Sequence, residues 1–104
     1  MERDAISEVG IDALQRLYVL PQSREFQYIY REAMEVHWDQ EHGFLYAPSP
    51  PRSQLKPLVW WFNQILAAAK AQSCELCLTA ATRWQGIPDE LRQEIIASSA
   101  AANA

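Results

Sequence analysis

From Phe26 to Trp38, six of the seven even-numbered positions are apolar (Phe26, Tyr28, Tyr30, Met34, Val36 and Trp38), with Glu32 the exception. Apolar residues at every second position mark a strand with one buried face, and this face is mostly aromatic. Phe26, Ile29, Tyr30, Ala33 and Met34 also fit a helical stripe, but a helix would scatter Tyr28, Val36 and Trp38 around its circumference. A single strand from Glu25 to Trp38 would be about 46 Å long, too long for a domain of this size, so the run must bend or turn near Glu32. Two strands joined at Glu32-Ala33-Met34, one bulged strand, or a helix are the alternatives over residues 25–38. Glu41-His42-Gly43 then reads as a three-residue hairpin loop with Gly in a left-handed position. This register sets Trp38 opposite Tyr46 and predicts a three-strand meander. One face of it comprises Phe26, Tyr28, Tyr30, Val36, Trp38, Phe44 and Tyr46.

The period elsewhere is helical. Ile6, Val9, Ala13, Leu14 and Leu17 predict a first helix over residues 5–18, capped by Asp4 and weakened by Gly10. Pro48, Pro50 and Pro51 interrupt the chain as an extended connector, although Pro-Ser-Pro-Pro-Arg also has the composition of a polyproline ligand. Leu55, Leu58, Val59, Phe62, Ile65, Leu66 and Ala69 predict a helix over residues 54–72, with Pro57 in its first turn. Cys74, Leu76, Leu78 and Ala80 alternate as a fourth strand, and Gly86-Ile-Pro-Asp-Glu90 opens a last helix running through Leu91, Ile95 and Ile96. The expected fold is α+β, in the order α-β-β-β-α-β-α, with one small sheet packed against helices. It forms a single domain over residues 1–104, and residues 98–104 are a fraying tail.

The composition narrows the partners. Nine Lys and Arg oppose thirteen Asp and Glu in 104 residues, for a net charge of −4. The basic residues are scattered singly, which argues against nucleic acid as a partner, and Tyr28 and Tyr30 lack the flanking cations of a base-stacking surface. No apolar run approaches the ~20 residues of a membrane span, and the N-terminus lacks a signal-peptide pattern, so a cytoplasmic location is expected. No cofactor-binding motif is present, and three Gly allow no phosphate-binding loop.

Three constellations offer chemistry. Cys74 and Cys77 have redox or zinc spacing, but on a strand they point to opposite faces and act as small hydrophobes. His37, Asp39 and His42 gather imidazoles beside a carboxylate and could serve acid/base catalysis or a metal, although a solvated hairpin explains them as well. Trp60 and Trp61 lie about 100° apart on a helix, so one of them leaves the core and becomes a candidate anchor for a partner or a second copy. The primary expectation is an acidic interaction or regulatory module without catalytic activity. A small enzyme using His37, Asp39 and His42 is one alternative. The other is a ligand-binding module with an aromatic pocket built from Tyr30, Trp38, Trp61 and Phe62.

Overall fold

A computed structural model describes residues 2–27, 29 and 35–102, with side chains described as far as Ser99. The class is α+β: a six-stranded mixed sheet and two helices. In chain order the elements are β1 (Glu2–Ile11), β2 (Leu17–Pro21), β3 (His37–Asp39), β4 (Phe44–Tyr46), α1 (Leu58–Ala71), β5 (Cys74–Cys77), β6 (Arg83–Gln85) and α2 (Asp89–Ala102). The chain therefore opens with strands, and the helix predicted over residues 5–18 is instead a β-hairpin. Met1, Tyr28, Tyr30–Met34, Asn103 and Ala104 lie outside the described residues, and with them the turn expected at Glu32.

β1 organises the sheet. It pairs antiparallel with β2 on one side; on the other, its first half pairs parallel with β5 and its second half with β6. The register against β2 shifts between Ile6 and Glu8, leaving Ser7 as the extra residue of a bulge. That shift places Ile6 and Val9 on the same buried face despite their three-residue separation. A bulged strand thus reproduces the spacing of a helical stripe, which is why the sequence pattern points to the wrong element. Thr82 closes the irregular edge between β5 and β6, its hydroxyl donating to the Ile6 carbonyl at 2.7 Å and accepting from the Thr79 N–H at 3.0 Å.

The β1–β2 connection is built around Asp12. One carboxylate oxygen accepts from the backbone N–H of Leu14 and Arg16, and the other accepts from the Arg16 side chain. Gln15 takes the left-handed conformation at φ 62°. The second hairpin, β3–β4, also corrects the predicted register: Trp38 pairs with Leu45 and His37 with Tyr46. Asp39 ends the strand one residue early because its Oδ1 accepts from the N–H of Glu41 and His42. The loop thus spans residues 40–43, with Gly43 in the expected left-handed conformation at φ 72°. One residue of slip reverses the face of every side chain on one strand relative to its partner. Trp38 accordingly packs against Phe26 toward the core, while Phe44 and Tyr46 point to the opposite face.

Both helices cover the face formed by Ile6, Val9, Leu17, Val19, Leu45, Cys74 and Leu76. α1 starts at Leu58, after a short 3-10 turn over Arg52–Leu55, and buries Trp61, Phe62, Ile65, Ala68 and Ala69. Leu55 is left exposed, outside the stripe assigned to it. Trp61 fixes the connector to the helix: its indole N–H donates to the Ser53 carbonyl at 2.7 Å. α2 docks on α1 through the fully buried Ile95 and the hydrogen bond from the Asn63 amide to the Ser98 hydroxyl, 2.6 Å long. Residues 98–102, expected to fray, continue α2, and Ser99 is buried. Among the described residues, no helix is long and apolar enough to cross a membrane.

The two adjacent tryptophans separate as their angular spacing requires, Trp61 being 2% exposed and Trp60 38%. Replacing Trp61 by Phe removes both packing volume and the bond to Ser53, and is expected to lower the unfolding free energy by about 2 kcal/mol in urea denaturation. Trp60→Phe should cost less than about 0.5 kcal/mol in the same measurement.

Candidate functional site

With both helices on one side, the other face of the sheet carries its own row of aromatic side chains. Cross-strand pairing places Gln85, Gly10, Tyr18, Tyr46 and His37 in one line across four junctions, because directly paired residues share a face. Glu8 and Leu20 form a shorter parallel row. The Tyr18 ring stacks on Phe44 with centroids 4.5 Å apart, and the His42 ring stacks on Phe44 at 5.4 Å. The Arg16 guanidinium lies 4.0 Å from the Tyr46 ring centroid while pairing with Asp12 at 2.7 Å. Such contacts rigidify the face, since an arginine held by a carboxylate and a ring has few other positions.

Gly10 makes room for this arrangement. A Cβ there would fall 2.4 Å from Cζ and the hydroxyl oxygen of Tyr18, so the tyrosine lies directly over the backbone of β1. Its hydroxyl reaches Glu8 and donates to Oε2 at 2.6 Å. Burial and the adjacent Glu8 carboxylate push the Tyr18 phenol well above its ordinary range, so the proton stays on the tyrosine at physiological pH. Glu8 also meets Arg83 at 3.3 Å on the rim.

Beside this row lies a cleft of about 660 Å³ where the β1–β2 loop overhangs the sheet. Tyr18, Leu20, Phe44 and Leu14 supply apolar lining; Glu8, Asp12, Arg16, His42 and Gln85 supply the polar groups. Leu14 is 62% exposed, held out by a loop whose backbone is tied to Asp12. The volume lies within the range of small-molecule sites, roughly 300–1,000 Å³.

The residues singled out from sequence are distributed differently. Asp39 and His42 do meet, with Nδ1 2.9 Å from Oδ2, but Asp39 also holds two loop N–H groups. Those hydrogen bonds, first from the His42 N–H, hold Asp39 below the ordinary carboxylate value despite opposing desolvation. His37 packs instead against Tyr46 at 5.4 Å. Among the described residues, no three His, Cys, Asp or Glu side chains converge as a metal site. Cys74 is buried and Cys77 half-buried, on alternate faces of β5. Burial raises the Cys74 thiol pKa, which disfavours the reactive thiolate. Trp60 is exposed beside Lys56, whereas Trp61 and Phe62 are packed in the core and Trp38 is half-buried against it. The aromatic pocket proposed between Tyr30, Trp38, Trp61 and Phe62 is therefore not where the cleft lies, and Tyr30 falls outside the described residues. The sequence assigns Leu14 to a helical stripe and gives Glu8 and Tyr18 no role, because their segment has helical spacing. The usable signal was Gly10, since Gly within a strand often marks a close approach.

The family described as Integron Cassette Protein Hfx_Cass5 matches residues 4–82, a span that includes every cleft residue except Gln85. A solved structure described as "Structure from the mobile metagenome of North West Arm Sewage Outfall: Integron Cassette Protein Hfx_Cass5" is 38% identical to the chain. The alignment covers 96% of this chain and 98% of that one, with a TM-score of 0.48. No curated protein matches.

Two outcomes follow from the geometry of the face. Gly10→Ala should destabilise the fold by about 1–3 kcal/mol by displacing Tyr18 from Phe44 and Glu8, and the penalty should shrink when Tyr18 is already leucine; a double-mutant cycle measures this. Asp12 gives a pH signature. Burial works to raise its pKa, but side-chain and backbone hydrogen bonds from Arg16 hold it below the ordinary 3.8. A depressed native value contributes stability above the unfolded pKa, and the contribution is lost as pH falls through the native one. Asp12→Asn should therefore cost about 1 kcal/mol at neutral pH, and the gap from the parent should narrow below about pH 4 in urea titrations.

Proposed function

We propose a non-catalytic binding role for this chain, which belongs to the integron cassette protein Hfx_Cass5 family. The docking surface is the uncovered sheet face, and the observation that carries the proposal is the cleft beside Tyr18 and Phe44. Apolar groups line it from two sides: Leu14 projects into solvent from the β1–β2 loop, and the buried, stacked pair Tyr18–Phe44 forms the floor. A concave site with an exposed apolar side chain and a few polar groups favours recognition, because an occupant gains apolar burial and an oriented contact together. Acid/base catalysis with His37, Asp39 and His42 has less support, because Asp39 fastens its own loop and His37 is separated from the pair by its packing on Tyr46.

The test is ligand-observed NMR screening with mixtures of aromatic fragments, followed by amide-shift mapping on the ¹⁵N-labelled protein. Bound fragments are expected to move the amides of Gly10, Leu14, Tyr18 and Phe44, and Leu14→Ser should weaken them about fivefold. Fragments that instead map to the Trp60 flank would relocate the surface, and absence of any binding at the cleft would remove the proposal.

A further inference from the structure

We propose that the cleft takes a small aromatic molecule carrying a protonated amine, with its ring against the exposed side chains of Leu14 and His42 and its ammonium on the Glu8 carboxylate. The assignment rests on the binding role above and adds the chemistry of the occupant.

It comes from the charges that line the cleft and what already engages them. Two carboxylates, Glu8 and Asp12, face one guanidinium, Arg16. Arg16 is held by Asp12 at 2.7 Å and by the Tyr46 ring at 4.0 Å. Asp12 in turn accepts from the backbone of Leu14 and Arg16 as well as from the Arg16 side chain. His42 contacts Asp39 at 2.9 Å. An anion entering the cleft would meet Glu8, while Arg16 and His42 already have carboxylate partners in Asp12 and Asp39.

Glu8 is different. Its Oε2 accepts one short bond from the Tyr18 hydroxyl, which aims the carboxylate, while Oε1 is opposed by Arg83, a side chain 63% exposed. A carboxylate has about four acceptor directions, so beyond Tyr18 and Arg83 positions are left for a third donor. An exposed ion pair at 3.3 Å is worth little and swings aside easily. A cation here would gain a charge-assisted hydrogen bond in a partly desolvated site, and its ring would lie beside Leu14 on the exposed His42 ring, which is itself backed by Phe44. The chain's net charge of −4 also favours approach of a cation over an anion.

The test compares three indoles of similar size, tryptamine, indole and indole-3-acetate, each titrated into the ¹⁵N-labelled full chain. Tryptamine is expected to shift the amides of Glu8, Gly10, Tyr18 and Gln85 and to bind about tenfold more tightly than indole-3-acetate. Glu8→Gln keeps the side-chain shape and should reduce the affinity for tryptamine about fivefold while leaving that for indole unchanged. Arg83→Ala removes the competing cation and should tighten tryptamine about twofold, so the proposal stays testable even if Glu8→Gln disturbs Tyr18. Equal or tighter binding of indole-3-acetate at the same amides would overturn the amine assignment while the binding role stands. If none of the three indoles shifts the cleft amides, the binding role itself fails.

Discussion

The extra residue at Ser7 sets the geometry on which the rest depends. In an unbroken strand Ile6 would share a face with Glu8 and Gly10, and the core would lose either its isoleucine or the run of Val9 and Ile11. The bulge resets the alternation, sending Ile6 and Val9 under the helices and releasing Glu8 and Gly10 to the opposite side. It also divides β1 into the stretch that pairs with β5 and the stretch that pairs with β6. The irregular edge is completed by a side chain, because the hydroxyl of Thr82 accepts the role of donor to the Ile6 carbonyl. One inserted residue thus defines the core, the sheet edge and the exposed carboxylate together.

A second constraint acts at Asp39. By gathering the N–H groups of Glu41 and His42, its carboxylate ends β3 and fixes a loop one residue longer than the glycine alone implies. The aromatic residues are divided as a result. Trp38 goes to the helix-covered side with Phe26, while Phe44 and Tyr46 join Tyr18 on the open side. What the alternation presents as a single hydrophobic face becomes two layers on opposite surfaces of one sheet.

Much of the C-terminal half was legible in the sequence. The stripe of Phe62, Ile65 and Ala69 locates α1, Cys74 and Leu76 alternate as β5 requires, and Pro88-Asp-Glu90 marks the start of α2. The strong signals there are local: period, proline position and charge at a helix start. The N-terminal half resisted because its pattern depends on partners far along the chain. A bulge leaves no mark that distinguishes Ile6 and Val9 from one turn of helix, and β6 consists of three residues, Arg83-Trp84-Gln85, whose pairing exists only against β1. The separation of Trp60 from Trp61 follows from helical geometry alone, whereas the cleft depends on the hairpin that the spacing concealed.

The parallel pairing of β1 also has a temporal side. Glu2 meets Cys74, and Gly10 meets Gln85, so one edge of β1 lacks its neighbours until residues 74–85 have been synthesised. The β1–β2 hairpin closes over a few residues and can form first, because short loops close cheaply and rapidly. The opposite edge then presents free N–H and C=O groups during elongation, with Arg3 and Asp4 near its start as charged residues that discourage pairing with another nascent chain. A strand that ends in the interior of the finished sheet therefore spends its early life as an edge.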